Sequence, residues 1–111
     1  MTTAESSVVD WEARSKPGPV TGVVAADVQG TQLSAARYVL DAAVVVPEHS
    51  HPNEEFGQVI RGALELTVDG VTETLAMGAA FLIPGDVPHS CRAGQDGCEL
   101  LECYAPPRSP R

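Results

Sequence analysis

The chain has 111 residues, of which 43% are hydrophobic and 20% charged, the composition of one soluble globular domain. Its seven basic and fifteen acidic residues give a net charge of −8, which argues against nucleic acid or an anionic membrane as a partner, because both require a basic face. No apolar run is long enough to span a membrane and residues 1–19 lack the features of a signal peptide, so the sequence predicts a cytoplasmic protein.

Short β-prone segments separated by turns follow one another along the chain, and no amphipathic helix of useful length interrupts them. The segment 63–68 alternates apolar and polar residues as a half-buried strand does, and the following Asp69-Gly70 is a strong hairpin signal. The predicted strands are 20–28, 33–40, 43–51, 55–61, 63–68, 71–75, 80–83, 87–92 and 98–104. This regular spacing indicates an all-β sandwich or barrel of the jelly-roll kind.

The ends of the chain differ from this β-rich middle. Residues 1–19 are polar and end in Pro17-Gly18-Pro19, which predicts an N-terminal arm with residues 1–7 disordered. The β-rich domain then covers 20–105, and 106–111 form a C-terminal tail.

All three histidines fall in one pattern, His49 and His51 followed by Glu55 and, after a long gap, by His89. On a strand, side chains i and i+2 share a face, so His49 and His51 are expected to point to one place. Three imidazoles and one carboxylate suit a divalent Fe, Mn, Ni, Co or Zn ion, and they leave coordination positions open for water or substrate. The alternative is that the histidines are hydrogen-bonded core or loop residues and that Glu55 is exposed.

The three cysteines, Cys91, Cys98 and Cys103, cannot all pair within one chain and lack the CxxC spacing, so they are expected to be reduced thiols of a cytosolic protein. Cys91 shares strand parity with His89 and could face the same cavity. We interpret Cys91 as a small core residue in preference to a metal ligand.

The spacing of the proposed ligands resembles that of the cupins. Two motifs carry the resemblance: His49-x-His51-x3-Glu55-x6-Gly62, and Gly78-x5-Pro84 with His89 beyond it. The similarity runs from about residue 33 to 104 and departs from the cupin pattern at Ala43, Asp86 and Ala93, none of which is a ligand position. It implies a small single-domain cupin of the RmlC-like type, a double-stranded β-helix or jelly-roll barrel that holds a metal.

A closer similarity is to small cupins of the pectin-degradation type. It rests on the strings His-Ser-His-Pro at 49–52, Leu-Glu-Leu-Thr-Val at 64–68 and Glu-Cys-Tyr-Ala-Pro-Pro-Arg at 102–108. Those relatives open and tautomerise an unsaturated monouronate without redox change. The resemblance implies that Glu102 transfers the proton and that Tyr104 lines the cavity beside it. The alternative is a solvent-facing Glu102 and a Tyr104 that only fills the core.

Two features separate this chain from those relatives. The strand 20–28 contains no basic residue, and Glu55 stands where the relatives often have glutamine. A glutamate adds negative charge to the metal centre and disfavours an anionic ligand, so both features favour a neutral or phenolic substrate. Arg37 and Arg108 are the candidates to bind a substrate carboxylate, since a guanidinium pairs with it in bidentate fashion, although Arg108 is also interpretable as a solvated surface residue.

The sequence therefore predicts a metal-dependent isomerase, tautomerase or cyclase acting on a small oxygenated substrate, either sugar-acid-like or polyketide-like. One alternative is an Fe(II)-dependent dioxygenase of the quercetin- or diketone-cleaving type, and another is a non-catalytic metal-dependent binding protein or sensor. A homodimer is also expected, because an arm carrying Val8, Val9 and Trp11 would cover open sheet edges on a second subunit.

Overall fold

The structure is a computed structural model that describes residues 8–109, so the predicted disorder of residues 1–7 lies outside the described residues. It contains α1 (Trp11–Arg14), β1 (Lys16–Pro17), β2 (Val23–Gln29), β3 (Ser34–Leu40), β4 (Val45–His49), β5 (Glu54–Val68), β6 (Val71–Ala76), β7 (Ala80–Ile83) and β8 (His89–Ala105). No helix among these residues is long and apolar enough to cross a membrane. The predicted all-β class is confirmed.

Two long strands, β5 and β8, pair with each other along most of their length and form the centre of the fold. The last residues of β8 pair with β3, while its first residues pair with β4. The first residues of β5 pair with β7, while its last residues pair with β6. Each long strand therefore takes part in two layers, which pack face to face as in a jelly roll.

The sequence predicts two separate strands in each of these regions, and the structure corrects that prediction. In β5 the register shifts on either side of Gly62, whose φ is +76°. A Cβ atom at Gly62 would lie 2.1 Å from the carbonyl oxygen of Gly97, which itself has a φ of +82°. The strands thus bend where glycine allows a left-handed backbone and close approach, and they continue into the second layer.

The predicted hairpin at Asp69-Gly70 is confirmed. Val68 pairs with Val71, and the two residues between them have φ values of +49° and +80°. Positive φ at both central residues is the geometry of a type I′ turn, whose twist matches that of the flanking strands.

The N-terminal arm is ordered from α1 onwards, which the sequence did not predict. The Asp10 carboxylate caps α1 by accepting from the N–H of Ala13 at 3.3 Å. β1 then pairs with β2 in antiparallel register, so it extends the sheet by one short strand. Val8 remains 96% exposed. The domain bounds 20–105 and 106–111 stay a prediction.

The hydrophobic core lies between the two layers and fills one part of the barrel. Val59, Leu64, Ile83 and Leu100 are at most 3% exposed, and each comes from the inward-facing parity of its strand. Full burial of such a side chain contributes about 1.5–3 kcal/mol. The remaining part of the interior is a cavity, and most of the site residues predicted from the sequence line it.

Candidate metal centre

The three histidines converge at one end of the cavity, although not quite as the sequence predicts. β4 ends at His49, and His51 lies in the following loop, so the two residues do not share a strand. The loop is fixed by the N–H of Asp86, which donates to the carbonyl of His51 at 2.7 Å. The side chain of Asn53 further donates to the carbonyl of Pro106 at 2.6 Å. This anchored loop replaces strand alternation as the cause of convergence.

His89 begins β8 and is the direct cross-strand partner of His49. Their ring centres are 4.3 Å apart, and those of His51 and His89 are 5.0 Å apart. One nitrogen from each of the three rings lies within 4.8 Å of the others. The three histidines can therefore bind one metal ion.

Each imidazole is oriented by its Nδ1 atom, which bonds to a backbone carbonyl two residues away. The acceptors are the carbonyls of Pro47 for His49 at 2.9 Å, Asn53 for His51 at 3.1 Å and Val87 for His89 at 2.9 Å. Because a carbonyl only accepts, the hydrogen resides on Nδ1, and the neutral ring presents a lone pair at Nε2. Such outer hydrogen bonds are typical of metal-ligating histidines.

Glu55 lies beside these rings on the inner face of β5 and is 4% exposed. Its Oε1 atom is 3.1 Å from Nε2 of His51 and 3.5 Å from Nε2 of His89. Burial raises the pKa of Glu55, but the neighbouring His89, Glu102 and His51 outweigh it, so the net pKa of Glu55 is lowered. Glu55 is therefore ionised near neutral pH.

The chemistry of this donor set fits a metal ion. Burial is the main cause that lowers the pKa of His51, so its imidazole is neutral near pH 7 despite the neighbouring Glu55. A neutral Nε2 and a carboxylate oxygen at 3.1 Å present lone pairs to each other. This arrangement is stabilised by a cation between them, and mixed imidazole and carboxylate ligands suit a divalent transition metal.

A chain of hydrogen bonds extends from Glu55 across the cavity. Glu55 and Glu102 both line the cavity, and hydrogen bonding with Glu102 is one of the causes that lower the pKa of Glu55. The hydroxyl of Tyr104 donates to Oε1 of Glu102 at 2.5 Å and lies 3.1 Å from the hydroxyl of Tyr38. Since Tyr104 has a single hydroxyl hydrogen and gives it to Glu102, Tyr38 is the donor to Tyr104.

Glu102 and Tyr104 both line the cavity and are 8% and 4% exposed. Burial is the largest of the causes that raise the pKa of Tyr104 well above its usual value, and the charges of Glu102 and Glu55 raise it further. Tyr104 thus stays protonated and keeps donating. Tyr38 was not singled out from the sequence. Tyr38 lies two residues before Leu40 on β3, so the two side chains share a face and both line the cavity. This alternation is the feature of the sequence that could have identified Tyr38.

Apart from these groups the cavity wall is largely apolar. Among the described residues that line it, none is lysine or arginine. Its polar members are His49, Glu55, His89, Glu102, Tyr38, Tyr104, Ser90 and Cys91, and its apolar members include Val20, Val23, Leu40, Val46, Leu64, Leu66, Phe81 and Leu100.

Cys91 lines the cavity, as its parity with His89 predicts. Burial, followed by the charge of Glu102, raises the pKa of the Cys91 thiol to about 12. The thiol therefore stays protonated near neutral pH, and the residue packs against the core cluster. Because the thiolate is the form that binds metals, this environment agrees with a core role for Cys91.

The placement of Arg37 corrects the expectation that it binds a substrate carboxylate in the cavity. Arg37 lies on the outer face of β3, where it pairs with Glu99 at 2.8 Å and with Glu12 at 3.1 Å. It is absent from the cavity wall, because the even-numbered residues of β3 are the ones that face inwards. Its guanidinium is already occupied by two carboxylates.

Arg108 lies behind Tyr104, in a small neighbouring pocket that also includes Tyr38. Its guanidinium carbon is 5.5 Å from the centre of the Tyr104 ring, and its backbone N–H donates to the Ser34 hydroxyl at 2.9 Å. Its Nη1 atom is buried and has no hydrogen-bond partner within residues 8–109. Arg108 thus supports Tyr104 from outside the cavity, and its binding of a substrate carboxylate stays a prediction.

Residues 36–104 match the sequence profile of the cupin domain. The chain belongs to the cupin family. Protein SchB of Streptomyces halstedii is 38% identical over 96 residues, which cover 81% of this chain and 70% of SchB. Dimethylsulfoniopropionate lyase DddW of Ruegeria pomeroyi is 33% identical over 83 residues, which cover 70% of this cupin and 55% of the lyase.

The cupin fold is also shared with the solved structure of KdgF from Halomonas sp. The two superpose with a TM-score of 0.86 over 96% of this cupin and 97% of KdgF, at 22% sequence identity. The predicted jelly-roll fold and the predicted likeness to small single-domain cupins are therefore confirmed. At this identity the likeness shows the fold and leaves the reaction open.

Proposed function

We propose that this cupin is a metal-dependent enzyme that isomerises, tautomerises or cyclises a small neutral or phenolic substrate without redox change. The observation that carries the proposal is the carboxyl pair of Glu55 and Glu102, which lies between the histidine cluster and two tyrosine hydroxyls. Such a pair combines a candidate metal ligand with a candidate proton carrier.

In this proposal His49, His51, His89 and Glu55 hold a divalent transition metal ion. The lone pairs at Nε2, the carbonyl bonds that fix each ring and the position of Glu55 support this ligand set. A bound metal supplies Lewis acidity to a hydroxyl or carbonyl oxygen of the substrate. The ligands are all imidazole and carboxylate, so Fe, Mn, Ni, Co and Zn all remain suitable.

Glu102 is the proposed general acid and base. Its carboxyl group, which holds the proton shared with ionised Glu55, gives a proton to one substrate atom and takes one from a neighbouring atom, so that it returns to its starting state. Tyr104 holds Oε1 of Glu102 in place by donating to it, and Tyr38 orients Tyr104 in turn. The apolar wall excludes water, which strengthens these interactions.

The charge of the cavity supports a neutral or phenolic substrate. The cavity wall contains Glu55 and Glu102 and, among the described residues, no lysine or arginine. The nearest candidates for pairing with a substrate carboxylate, Arg37 and Arg108, lie outside the wall. A uronate would therefore meet two carboxyl groups without a counter-charge other than the metal.

The test uses the full chain loaded with Zn²⁺ under nitrogen, incubated in deuterium oxide with neutral polyphenols and hydroxyketones. Proton NMR is expected to show deuterium incorporation or product formation with the wild type, and a rate at least about 100-fold lower with Glu102→Gln. Glu99→Gln is the matched control, because Glu99 lies on the same strand but faces outwards, and it is expected to keep the wild-type rate.

Three other results would each contradict the proposal. Turnover that requires Fe²⁺ and consumes O2 would indicate a dioxygenase. Turnover of an unsaturated uronate alone would indicate an anionic substrate. Tight binding of a neutral ligand without deuterium exchange, whatever the metal, would indicate a binding protein or sensor.

A further inference from the structure

Phe81 is an aromatic side chain of the cavity wall that the hydrogen-bond chain does not use. It lies on β7, is half-buried and faces inwards together with Ile83. Tyr38 and Tyr104 use their hydroxyl groups in the chain that holds Glu102. Among the described residues that line the cavity, Phe81 is the only one with an aromatic ring and no polar side-chain atom. Its contribution to a binding site is thus contact through the ring itself.

The ring of Phe81 lies flat on the backbone of Gly57, its direct cross-strand partner on β5. A Cβ atom at Gly57 would lie 2.2 Å from Cζ of Phe81 and 2.7 and 2.8 Å from its two Cε atoms. For an atom in the plane of the ring beyond Cζ, the Cε distances would exceed the Cζ distance by more than this, so the position lies above the face of the ring. Gly57 is buried, and its missing side chain leaves the space that the ring occupies.

The other face of the ring borders the cavity beside Glu102. One face rests on the layer that contains β5 and β7, and Phe81 is part of the cavity wall, so the remaining face points to the interior. Gly57 also pairs with Glu102 on β8. Phe81, Gly57 and Glu102 therefore form one inward-facing row across three strands that are about 4.8 Å apart. A ligand that stacks on the ring is within reach of the Glu102 carboxyl group.

We propose that Phe81 determines substrate specificity by stacking on a planar, aromatic or unsaturated ring of the substrate, and that Gly57 sets the orientation of the phenyl ring. The inference rests on the proposed function, because it takes the reacting part of the substrate to lie beside Glu102. It adds a requirement to that function, since a neutral substrate as such can have a saturated or a planar ring.

The other side of the cavity suits a flat ligand as well. Val46 on β4 and Leu66 in the last part of β5 line the cavity from the second layer. A planar ring between the layers therefore has apolar contacts on both faces. Two aromatic rings attract each other beyond the burial of apolar area, because the negative face of one ring interacts with the positive edge of the other. A saturated ring of the same size lacks this additional attraction.

The first test compares two probes that carry the same oxygens on a planar and a saturated ring, resorcinol and cis-1,3-cyclohexanediol. The dissociation constant of each is measured by NMR titration of the full chain loaded with Zn²⁺. Phe81→Leu keeps an apolar side chain but removes the ring, so it is expected to weaken resorcinol binding about fivefold and cyclohexanediol binding less than about twofold. Val46→Ala is the matched control, because it shortens the opposite wall, and it should weaken both probes by a similar factor.

The second test examines the role of Gly57. Gly57→Ala places a methyl group where the phenyl ring lies, so the ring must leave the layer, and resorcinol binding is expected to weaken about fivefold. In a Phe81→Leu background the same change should have little further effect, because a leucine side chain ends at Cδ and does not reach the position of Cζ. Thermal unfolding verifies that each variant is folded. An equal effect of Gly57→Ala in both backgrounds would show that Gly57 does not act through Phe81 and would overturn this part of the inference.

The outcomes separate this inference from the proposed reaction. If Phe81→Leu weakened both probes equally, or if resorcinol did not bind the wild type at about 10 mM, stacking on Phe81 would be refuted. An unchanged preference in Phe81→Leu, together with turnover that Glu102→Gln abolishes, would keep the proposed function and overturn the inference. A preference for resorcinol that depends on Phe81, without turnover of any neutral compound, would support the inference and overturn the proposed reaction.

Discussion

Glu99 and Glu102 lie on the same strand, β8, and face opposite sides of one layer. Glu99 faces outwards, where Arg37 and Arg61 each donate to it at 2.8 Å. Glu102 faces the cavity, where its partners are the hydroxyl of Tyr104 and the carboxyl group of Glu55. The outer carboxylate is thus held by fixed positive charges, while the inner carboxyl group is held by a hydroxyl and by a second carboxyl group.

This difference explains why one glutamate is a candidate for chemistry and the other is structural. The hydrogen bond from Arg37 is the largest cause that lowers the pKa of Glu99, so Glu99 stays ionised and bound to its partners. Two carboxyl groups that share a site disfavour each other's ionisation, so a proton on one of them is stabilised. Strand alternation allows both environments within four residues.

The largest expected difference between the two sides of the layer comes from loss of a metal ligand on the inner side. His51→Ala removes one of three converging imidazoles, so bound metal is expected to fall from about one per chain to less than about a tenth. Metal is measured by mass spectrometry after dialysis against micromolar Zn²⁺. Glu99→Gln, on the outer side, should keep the wild-type amount. A His51→Ala chain with a full metal equivalent and full activity would show that the site is wrong.

Removal of the Tyr38 hydroxyl tests the far end of the inner hydrogen-bond chain. Tyr38→Phe keeps the ring but removes the donor to Tyr104, so kcat is expected to fall about fivefold, the effect of one neutral hydrogen bond of about 1 kcal/mol. Tyr104→Phe should cost more, because Tyr104 contacts Glu102 directly. Metal content should not change in either variant. If the kcat of Tyr38→Phe equalled that of the wild type, Tyr38 would have no role in the reaction, and Tyr104 alone would support Glu102.

The outer glutamate offers a smaller, pH-dependent effect. Because the folded-state pKa of Glu99 is below that of the unfolded chain, its ion pairs stabilise the protein above the usual glutamate pKa of about 4.3. That stabilisation is lost as the pH falls through the folded-state pKa. The free energy of unfolding in urea should therefore differ between the wild type and Glu99→Gln by about 1 kcal/mol at pH 7. A difference that stays constant down to about pH 3 would contradict the ion-pair explanation.

Much of the fold was predictable because it depends on local signals. The alternation in 63–68 and the Asp69-Gly70 turn specify the β5–β6 hairpin, and the structure confirms it. The continuation of β5 through Gly62 was not predictable, because a glycine in the sequence signals a turn as readily as a bend. Only the close carbonyl of Gly97, 35 residues later in the chain, shows that the strand bends there.

The candidate site was predictable to a similar extent. The spacing of His49, His51 and His89 indicates a metal site, and the structure brings the three rings together. The cause differs, since His51 lies in a loop held by Asp86 and by its own bond to Asn53. The contact with Asp86 joins residues 35 apart in the chain, so the local sequence pattern does not reveal it.

The sequence by itself determined the β-rich class, the cupin motifs and the residue types that can bind a metal, because these depend on composition, alternation and spacing. The tertiary structure decided which charged groups share a partner. It turned Arg37 outwards to Glu99, placed Tyr38 behind Tyr104 and joined Glu55 to Glu102. The physical reason is that pairing between β3, β5 and β8 sets these neighbours, and that register depends on the whole folded chain.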